Sequence, residues 1–286
     1  MNLTPLIQLT RGGTPECLHF GAVAVTNRLG QLTAFAGDPH LVTFTRSTLK
    51  ALQALPFVEA GGPATFGFTQ AENALLCASH NGEAMHVDAA VSMLGKSGNT
   101  YQTLRCGCHV PLLFSYFDKG APEGATYTEA HNNCSGKHAG FVAHCVRQGL
   151  PLGSHLDPAH PLQVAIRDHV AQAVGLAPDQ LAMGIDGCSA PNYAMPLAHL
   201  ARGYARLAGG APDTDLHESL TTLADAQVQL DIFGELMDAV YLVNKYGDAI
   251  SHEGWKHAVH LVDQVCETWQ QKDVGIWEMR GEQHHF

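Results

Sequence analysis

The sequence predicts a mixed α/β or α+β domain, because segments with strand-like and helix-like apolar spacing alternate along it. Turns rich in Gly, Pro or Asp separate these segments, as expected between regular elements. This alternation disfavours a pure helical bundle or β-sandwich. Of the 286 residues, 45% are hydrophobic and 15% are charged. That composition supplies enough apolar material for one large or two modest globular domains.

The first predicted element is a β-hairpin over residues 22–35, where two short apolar strands flank a turn at Asn27–Gly30. A helix is then predicted to begin at Ser47, to kink at Pro56 and to end at Gly61. Its apolar positions follow helical spacing: Leu49, Leu52 and Leu55.

Four later segments also have the apolar spacing of helices. They are residues 84–95, 137–148, 160–174 and 196–207. The apolar run 74–76 is short, and small and polar residues follow it. We interpret this run as the end of a strand that presents those polar residues to a cleft.

The last quarter of the chain has a different composition. Residues 1–212 carry 13 acidic and 12 basic residues, whereas residues 213–286 carry 14 acidic and 4 basic residues and all three tryptophans. The segment 209–213, Gly-Gly-Ala-Pro-Asp, is the best linker candidate. We therefore predict one domain over 1–212 and an acidic, mostly helical segment over 213–286, although an acidic lobe of a single domain is the alternative. Two amphipathic helices are predicted in this segment: residues 230–241 and 257–270.

Charge and cysteine usage limit the partners and the compartment. The formal net charge of −11 argues against nucleic acid or an anionic membrane as a partner, since both need clustered Lys and Arg. Residues 1–11 lack a basic start followed by a long apolar run, and no stretch approaches the roughly 18 apolar residues of a membrane span. Eight scattered cysteines are typical of reduced thiols, so we expect a cytoplasmic protein.

The first candidate for chemistry is a Ser-x-x-Lys motif, Ser47 to Lys50, at the start of a predicted helix. Three residues apart on a helix, the hydroxyl and the amine lie on one face. A neutral lysine amine could take the serine proton during attack on a carbonyl carbon. The common alternative is a serine that caps the helix and a solvated lysine one turn later. A second polar run, containing Ser79 and His80, follows the apolar residues 74–76.

Two further candidates are turns that contain cysteine. Cys134 lies in a polar run that opens the predicted helix 137–148, and Cys188 lies in a Gly- and Pro-containing turn. Both thiolates could be zinc ligands, although the usual paired spacing is missing, and buried free thiols are the more common outcome. Cys106 and Cys108 are too close together for a standard zinc knuckle, so we interpret them as unpaired and structural.

Taken together, the motifs resemble one known family. They occur along the chain in the order Arg46-Ser47-x-x-Lys50, Ala78-Ser79-His80-x-Gly82-Glu83, Asn133-Cys134-Ser135-Gly136-Lys137-His138-Ala139-Gly140, His160-Pro161-Leu162-Gln163 and Asp186-Gly187-Cys188. This set resembles the asparaginase II family, the L-asparaginases of the thermolabile rhizobial and plant-associated type, over residues 8–208. That family is similar in fold to serine β-lactamases and penicillin-binding proteins, which implies an α/β sandwich with Ser47 at a helix start.

The resemblance implies hydrolysis of asparagine to aspartate and ammonia, and it implies roles for nine residues. The catalytic residues would be Ser47 as nucleophile, Lys50 as base and Ser79 as a second hydroxyl. The residues that border the substrate would be Arg46, His138 and Asp186. The ligands of a zinc ion would be Cys134, Lys137 and Cys188, with Lys137 bound as a neutral amine. Arg46 would hold the substrate's carboxylate and Asp186 its ammonium group. A homodimer is a further expectation.

The sequence departs from the family pattern at three points. Phe20 stands where a basic residue is usual, and Ala51 stands where proline usually follows Lys50. The larger departure is that a late Gly-rich segment with another active-site lysine is not found. We therefore expect the asparaginase-like domain over 1–212 to be incomplete at its C-terminal end.

The end of the chain resembles a different family. It contains two motifs, Gln229-Leu-Asp-Ile-Phe-Gly-Glu-Leu-Met-Asp-Ala-Val-Tyr241 and Gly275-Ile-Trp-Glu-Met-Arg-Gly-Glu282. With these motifs, residues 224–286 resemble part of the glucoamylase and trehalase family of inverting glycosidases, whose fold is an (α/α) barrel. In that resemblance Glu278 is the candidate general acid, whereas the second carboxylate that inverting hydrolysis needs is expected to be absent. The leading hypothesis is an asparaginase-type amidohydrolase. The alternatives are a glycosidase fragment and a catalytically inactive chimera of the two families.

Overall fold

The structure is a computed structural model that describes residues 2–27, 29–116, 120–209, 216 and 277–279. The strands are β1 (Thr4–Arg11), β2 (Thr14–Gly21), β3 (Val23–Thr26), β4 (Leu32–Ala36), β5 (Val42–Phe44), β6 (Ala182–Ile185), β7 (Pro191–Pro196) and β8 (Trp277–Met279). The α-helices are α1 (Lys50–Gln53), α2 (Leu55–Glu59), α3 (Gly62–Phe66), α4 (Gln70–Leu76), α5 (Ala84–Lys96), α6 (Leu112–Tyr116), α7 (Ser135–Gln148), α8 (Pro161–Val174) and α9 (Leu197–Gly209). Short 3-10 helices span Arg46–Leu49, Tyr101–Thr103, Glu129–His131 and Pro178–Gln180. The mixture of helices and strands predicted from the sequence is confirmed.

The described strands form three small sheets. Their orders are β2-β1-β8, β3-β4 and β5-β7-β6. In the third sheet β7 is central and pairs antiparallel with both neighbours. Five of the six residues of β7 are buried, whereas β5 and β6 are largely exposed. The likeness to the serine β-lactamase sandwich stays a prediction.

The predicted β-hairpin over 22–35 is confirmed as β3 and β4, which pair antiparallel. The side-chain oxygen of Asn27 accepts the backbone amides of Leu29 and Gln31, each at 3.0 Å. Gly30 has a φ of 73°, in the left-handed region that glycine adopts without steric cost. The turn therefore forms where Asn and Gly stand in the sequence.

The predicted helices are also confirmed within a few residues. The four later helices are α5, α7, α8 and α9. The helix expected from Ser47 forms as a 3-10 turn followed by α1 and α2, with a break at Ala54. Pro56 lies in the first turn of α2 rather than at a kink inside one helix. The backbone N–H groups in the first turn of a helix have no partner within the helix. Proline, which lacks this group, is therefore tolerated there, and a new helix can begin.

The interpretation of residues 74–76 as the end of a strand is wrong, because they form the last turn of α4. A capping box starts this helix. The Thr69 side chain accepts the backbone amide of Glu72 at 3.2 Å, and the Glu72 carboxylate accepts the backbone amide of Thr69 at 2.6 Å. Lys96 pairs with the same carboxylate at 2.6 Å. This local pattern fixes the helix despite its short apolar run.

Helix α7 lies at the centre of the core. Its first eleven residues are all buried, and it packs against α4 and α5. Two glycines allow the close approach to α4. A Cβ atom at Gly136 would lie 2.4 Å from the Leu75 carbonyl oxygen, and one at Gly140 would lie 2.4 Å from a Leu76 methyl carbon. The Gly-x-x-x-Gly spacing in the motif thus brings the start of α7 against the C-terminal end of α4.

Most of the predicted acidic segment, including the helices at 230–241 and 257–270, lies outside the described residues. Leu216 is buried in the hydrophobic core. The described residues 277–279 form β8, parallel to β1, and lie outside both predicted helices. Within the described ranges, no helix is long and apolar enough to cross a membrane.

Candidate functional site

Ser47, Lys50 and Ser79 form a buried hydrogen-bonded chain, which we call the serine cluster. The Lys50 amine donates to the Ser79 hydroxyl, and that hydroxyl donates to the Ser47 hydroxyl at 2.9 Å. The three side chains are exposed by only 1%, 2% and 5% for Lys50, Ser79 and Ser47. The structure brings together the three residues predicted to be catalytic. It also places Ser79 between the amine and Ser47, an order that the Ser-x-x-Lys spacing does not reveal.

His80 holds the Ser79 segment against the start of α7. Its Nδ1 accepts the backbone amide of Gly82 at 3.2 Å, so Nε2 carries the proton and donates to the Ser135 hydroxyl at 2.8 Å. The His80 amide also donates to the Asn133 carbonyl at 3.1 Å. Burial lowers the pKa of His80 to about 3, which keeps the ring neutral and preserves both bonds at neutral pH.

Arg46 and Asp186 form an ion pair beside the serine cluster. The guanidinium and the carboxylate are 3.0 Å apart, and their side chains are exposed by 36% and 10%. Arg46 directly precedes Ser47 in the chain, so the pair is attached to the residue next to the candidate nucleophile. Adjacent positive and negative groups match the carboxylate and ammonium of an α-amino acid, which are themselves neighbours.

Cys134, Lys137 and Cys188 form a second buried group, which we call the cysteine cluster. The Lys137 amine donates to the Cys188 sulfur at 3.3 Å. The neighbouring Cys134 thiol and the Lys137 ammonium hold the pKa of Cys188 far below its ordinary range, against the effect of burial. Contact with Cys188, together with burial, raises the pKa of Cys134 well above its ordinary value.

Lys137 is predicted to bind zinc as a neutral amine, but its surroundings favour the protonated form. Burial alone would lower the pKa of Lys137, but the sulfurs of Cys188 and Cys134 and the carboxylate of Asp186 outweigh it and raise that pKa. Without a metal, the cluster is therefore a thiolate–ammonium pair. A metal bound by the amine would have to displace its proton.

The donor set of the cysteine cluster fits zinc. Zinc binds thiolate sulfur at about 2.3 Å and nitrogen at about 2.0–2.1 Å, so tetrahedral geometry separates the two donors by about 3.6 Å. The sulfur–nitrogen distance between Cys188 and Lys137 is 3.3 Å, close to that separation. Among the described residues, no group of three His, Cys, Asp or Glu side chains is placed to hold a metal ion. The Lys137 amine is therefore the protein nitrogen that could join the two sulfurs as a donor at this cluster.

His138 lies deeper than its predicted place at the border of the substrate. It is fully buried, beside the Phe141 and His155 rings at centroid distances of 5.4 and 6.3 Å. Burial lowers its pKa to about 4, although the nearby Cys188 sulfur acts in the opposite direction. Neither ring nitrogen makes a hydrogen bond of acceptable geometry within the described residues. Contact between His138 and substrate stays a prediction.

The remaining predicted residues lie elsewhere. Glu278 is in β8, opposite Gln8 of β1, and so belongs to a different sheet from the one that leads to Asp186. The seven cysteines in the described ranges are free thiols. Of the closely spaced pair, Cys106 is buried and Cys108 is exposed.

Sequence reasoning missed Asn192, which is buried and bonded to the backbone of Arg46. A signal for it exists, because Asn192 is a polar residue within the otherwise apolar run 190–196. A polar side chain at a buried strand position needs hydrogen-bond partners, and these point to a neighbouring segment.

Comparison with known proteins gives two family matches. The family described as L-asparaginase II matches residues 7–247, and the family described as glycosyl hydrolases family 15 matches residues 218–286. The first match runs past residue 212, the predicted boundary, and overlaps the second. The boundary at 212 stays a prediction.

Three curated relatives match a short segment of the chain. Trehalase 1 of Sulfolobus acidocaldarius is 40% identical over 65 residues, which are 22% of this chain and 12% of that protein. A trehalase of Mycolicibacterium smegmatis is 40% identical over 60 residues, 21% of this chain and 9% of that protein. A trehalase of Mycobacterium tuberculosis is 37% identical over 60 residues, with the same coverage. The chain thus spans about a tenth of the length of these relatives.

The asparaginase match covers most of the chain and contains the serine cluster, the cysteine cluster and the Arg46–Asp186 pair. The glycosidase match covers only the last 69 residues, a short piece by comparison. The chain belongs to the L-asparaginase II family.

Proposed function

We propose that this protein is an amidohydrolase that converts L-asparagine to aspartate and ammonia through a Ser-Lys mechanism. The observation that carries the proposal is the buried serine cluster next to the Arg46–Asp186 pair. The cluster supplies a nucleophile and a proton acceptor, and the ion pair supplies complementary groups for an amino acid. The family match supports the same reaction class.

The hydrogen-bond order of the serine cluster defines the route of the proton. Ser47 attacks the side-chain amide carbon of asparagine, and its proton passes to the Ser79 oxygen while the Ser79 proton passes to Lys50. This direction reverses both hydrogen bonds of the resting arrangement, which needs rotation of the hydroxyl hydrogens and a Lys50 amine whose lone pair faces Ser79. Lys50 must be in its neutral form when attack occurs. Protonated Lys50 can then return a proton, through Ser79, to the amide nitrogen as the carbon–nitrogen bond breaks, which releases ammonia and leaves an ester between Ser47 and the substrate. A water molecule then attacks this ester and gives up its proton by the same route, which releases aspartate and restores the Ser47 hydroxyl.

The Arg46–Asp186 pair would orient the substrate. The guanidinium binds the α-carboxylate and the Asp186 carboxylate binds the α-ammonium, which directs the side-chain amide towards Ser47. Because the two groups neutralise each other before binding, neither charge is left unpaired near the buried hydroxyls. When the amino acid binds between them, its carboxylate pairs with Arg46 and its ammonium with Asp186, so both charges stay paired.

We also propose that Cys134, Lys137 and Cys188 hold a zinc ion. When bound, the ion would supply a positive charge that can polarise a nearby oxygen. The three residues themselves join the start of α7 to the turn between β6 and β7, which also carries Asp186. The cysteine cluster therefore helps to fix one half of the substrate-binding ion pair.

The proposal is tested by ammonia release from L-asparagine with the wild type and Ser47→Ala. The variant removes one buried hydroxyl and should lose all measurable turnover while its circular dichroism spectrum stays unchanged. Ser97→Ala is the matched control, because its buried hydroxyl bonds to the Leu94 carbonyl away from the site. Comparable turnover by Ser47→Ala would eliminate Ser47 as the nucleophile and favour Ser79. A folded wild type without ammonia release contradicts the proposed function.

A glycosidase is the second candidate, favoured by the match over residues 218–286 and by the trehalase relatives. In that case Glu278 would be the general acid. Glucose release from trehalose or maltose that disappears in Glu278→Gln, without ammonia from asparagine, would favour it. We also propose that the chain joins pieces of two families near residue 212, which peptide mass spectrometry across 207–231 can examine directly.

A further inference from the structure

Arg46 has a backbone conformation that is unusual for its residue type. Its φ is 52°, in the left-handed region that non-glycine residues seldom adopt. Such a conformation persists only when surrounding contacts enforce it, and it is often found at functional sites. Arg46 is the residue whose guanidinium meets Asp186 and whose carbonyl carbon is bonded to the candidate nucleophile, Ser47.

One side chain, that of Asn192, binds the Arg46 backbone on both sides. The Asn192 oxygen accepts the Arg46 backbone amide at 3.0 Å and the Thr45 hydroxyl at 3.3 Å. The Asn192 side-chain amide donates to the Arg46 carbonyl at 2.9 Å. One planar amide group thus binds both polar groups of the Arg46 backbone. At 2% exposure, Asn192 makes these bonds away from competing water.

Asn192 lies on the same β-hairpin as Asp186, the ion-pair partner of Arg46. Asn192 lies on β7 and pairs with Gly184 of β6, and the turn between these strands carries Asp186. The same hairpin therefore holds the backbone of Arg46 and presents the carboxylate that meets its guanidinium. Thr45 adds a further link, because its amide and hydroxyl both donate to the Tyr193 carbonyl.

We propose that Asn192 is a positioning residue for substrate recognition, which acts by holding Arg46 in its left-handed conformation with the guanidinium directed at Asp186. This inference rests on the proposed function, since the pair it aligns is the one that would bind the α-carboxylate and α-ammonium of the substrate. Asn192 itself does not touch the substrate. Its loss lets the Arg46 backbone relax and turns the guanidinium away, whereas the serine cluster keeps its own hydrogen bonds.

The kinetic test compares wild type, Asn192→Ala, Arg46→Ala and the double variant. Asn192→Ala should raise KM for L-asparagine about tenfold or more while kcat changes less than about threefold, because binding is lost and the proton route is not. The double variant should be no worse than Arg46→Ala, since both changes remove the same interaction. Asn99→Ala is the matched control, because its side chain bonds to the Ser97 carbonyl away from the site. Equal losses in KM and kcat, or additive losses, would overturn the proposal.

A crystal structure of Asn192→Ala provides a readout that does not depend on activity. We expect φ of Arg46 to leave the left-handed region and the 3.0 Å contact with Asp186 to be lost. An unchanged Arg46 overturns the role of Asn192 even if the protein is active. If the wild type releases no ammonia, the proposed function fails, but this structure still decides the role of Asn192. Asn192→Asp keeps the acceptor oxygen and should have an intermediate effect, and failure of both variants to fold would mean that Asn192 serves only the fold.

Discussion

The serine cluster and the cysteine cluster each contain a buried lysine, at 1% exposure for Lys50 and 3% for Lys137, but the two amines meet different partners. Lys50 donates to a serine hydroxyl, whereas Lys137 donates to a cysteine sulfur. A hydroxyl stays neutral, so the Lys50 amine lies in a chain that can pass a proton. The Cys188 thiolate retains the proton on Lys137, which makes that lysine a charge partner or, with zinc, a ligand. The neighbours of a buried lysine therefore decide its chemistry.

The largest effect should come from removing the amine of the serine cluster. Lys50→Met keeps most of the side-chain volume but removes the proton acceptor, so we expect kcat for asparagine to fall by about a thousandfold or more. Ammonia release under saturating substrate measures it. Lys96→Met is the control, because Lys96 pairs with Glu72 away from the site and its loss should leave kcat unchanged. Activity of Lys50→Met within tenfold of the wild type would break the distinction between the two lysines.

The second effect concerns metal content. We expect about one zinc per chain in the wild type and almost none in Cys188→Ala, because that change leaves only one thiolate and the amine as donors. Elemental analysis of protein from zinc-supplemented growth measures it. Cys145→Ala is the control, since Cys145 is a buried thiol whose pKa burial raises to about 12. A folded wild type without zinc, or zinc that survives in Cys188→Ala, would show that the cysteine cluster is a metal-free ion pair.

Much of the local structure could be predicted because its signals are local. The Asn27–Gly30 turn and the helical spacing from Ser47 fix elements within a few residues. The interpretation of residues 74–76 as a strand end is wrong for a reason that is also local, because the Thr69–Glu72 capping box starts a helix just before this short apolar run.

The arrangement of the site depends on contacts between distant positions, which periodicity does not reveal. The hydrogen bond between Ser79 and Ser47 joins residues that are 32 positions apart in the sequence. The bond between Arg46 and Asn192 joins residues that are 146 positions apart. The resemblance to a family could predict that the motif residues lie together, but it could not predict the order of their hydrogen bonds. The pKa of Lys137 likewise depends on sulfurs from two separate segments.

The third effect is on stability at acidic pH and comes from His80, which joins the Ser79 segment to the start of α7. Its folded pKa of about 3 is below the unfolded value of about 6.5, so the unfolded state binds more protons between these values. Stability from this histidine is complete above about pH 6.5 and is lost as pH falls towards about 3, by up to about 1.4 kcal/mol per pH unit.

Urea unfolding at several pH values tests this expectation. His80→Gln should be less stable at pH 7, by about 1–2 kcal/mol, because it loses bonds to Gly82 and Ser135. Its free energy of unfolding should fall less steeply than that of the wild type between pH 6 and pH 4. Parallel pH profiles for the two proteins would show that His80 does not titrate on unfolding.

The smallest effect should come from the helix that leads to Ser79. Thr69→Ala removes the side-chain half of the capping box of α4, which should cost about 1 kcal/mol of unfolding free energy. We expect kcat to stay within about twofold, because Ser79 is held in the site by its own bonds and by the bonds of His80 to α7. Urea unfolding and ammonia release measure the two quantities.

Thr65→Ala is the matched control, since its hydroxyl bonds to the Gly61 carbonyl and caps no free amide. It should change stability less than Thr69→Ala. If Thr69→Ala lowered kcat tenfold while losing only 1 kcal/mol of stability, the position of Ser79 would depend on α4 rather than on contacts within the site. The serine cluster would then be sensitive to a distant helix start, whereas the cysteine cluster, with two of its three residues at the start of α7, would not share that sensitivity.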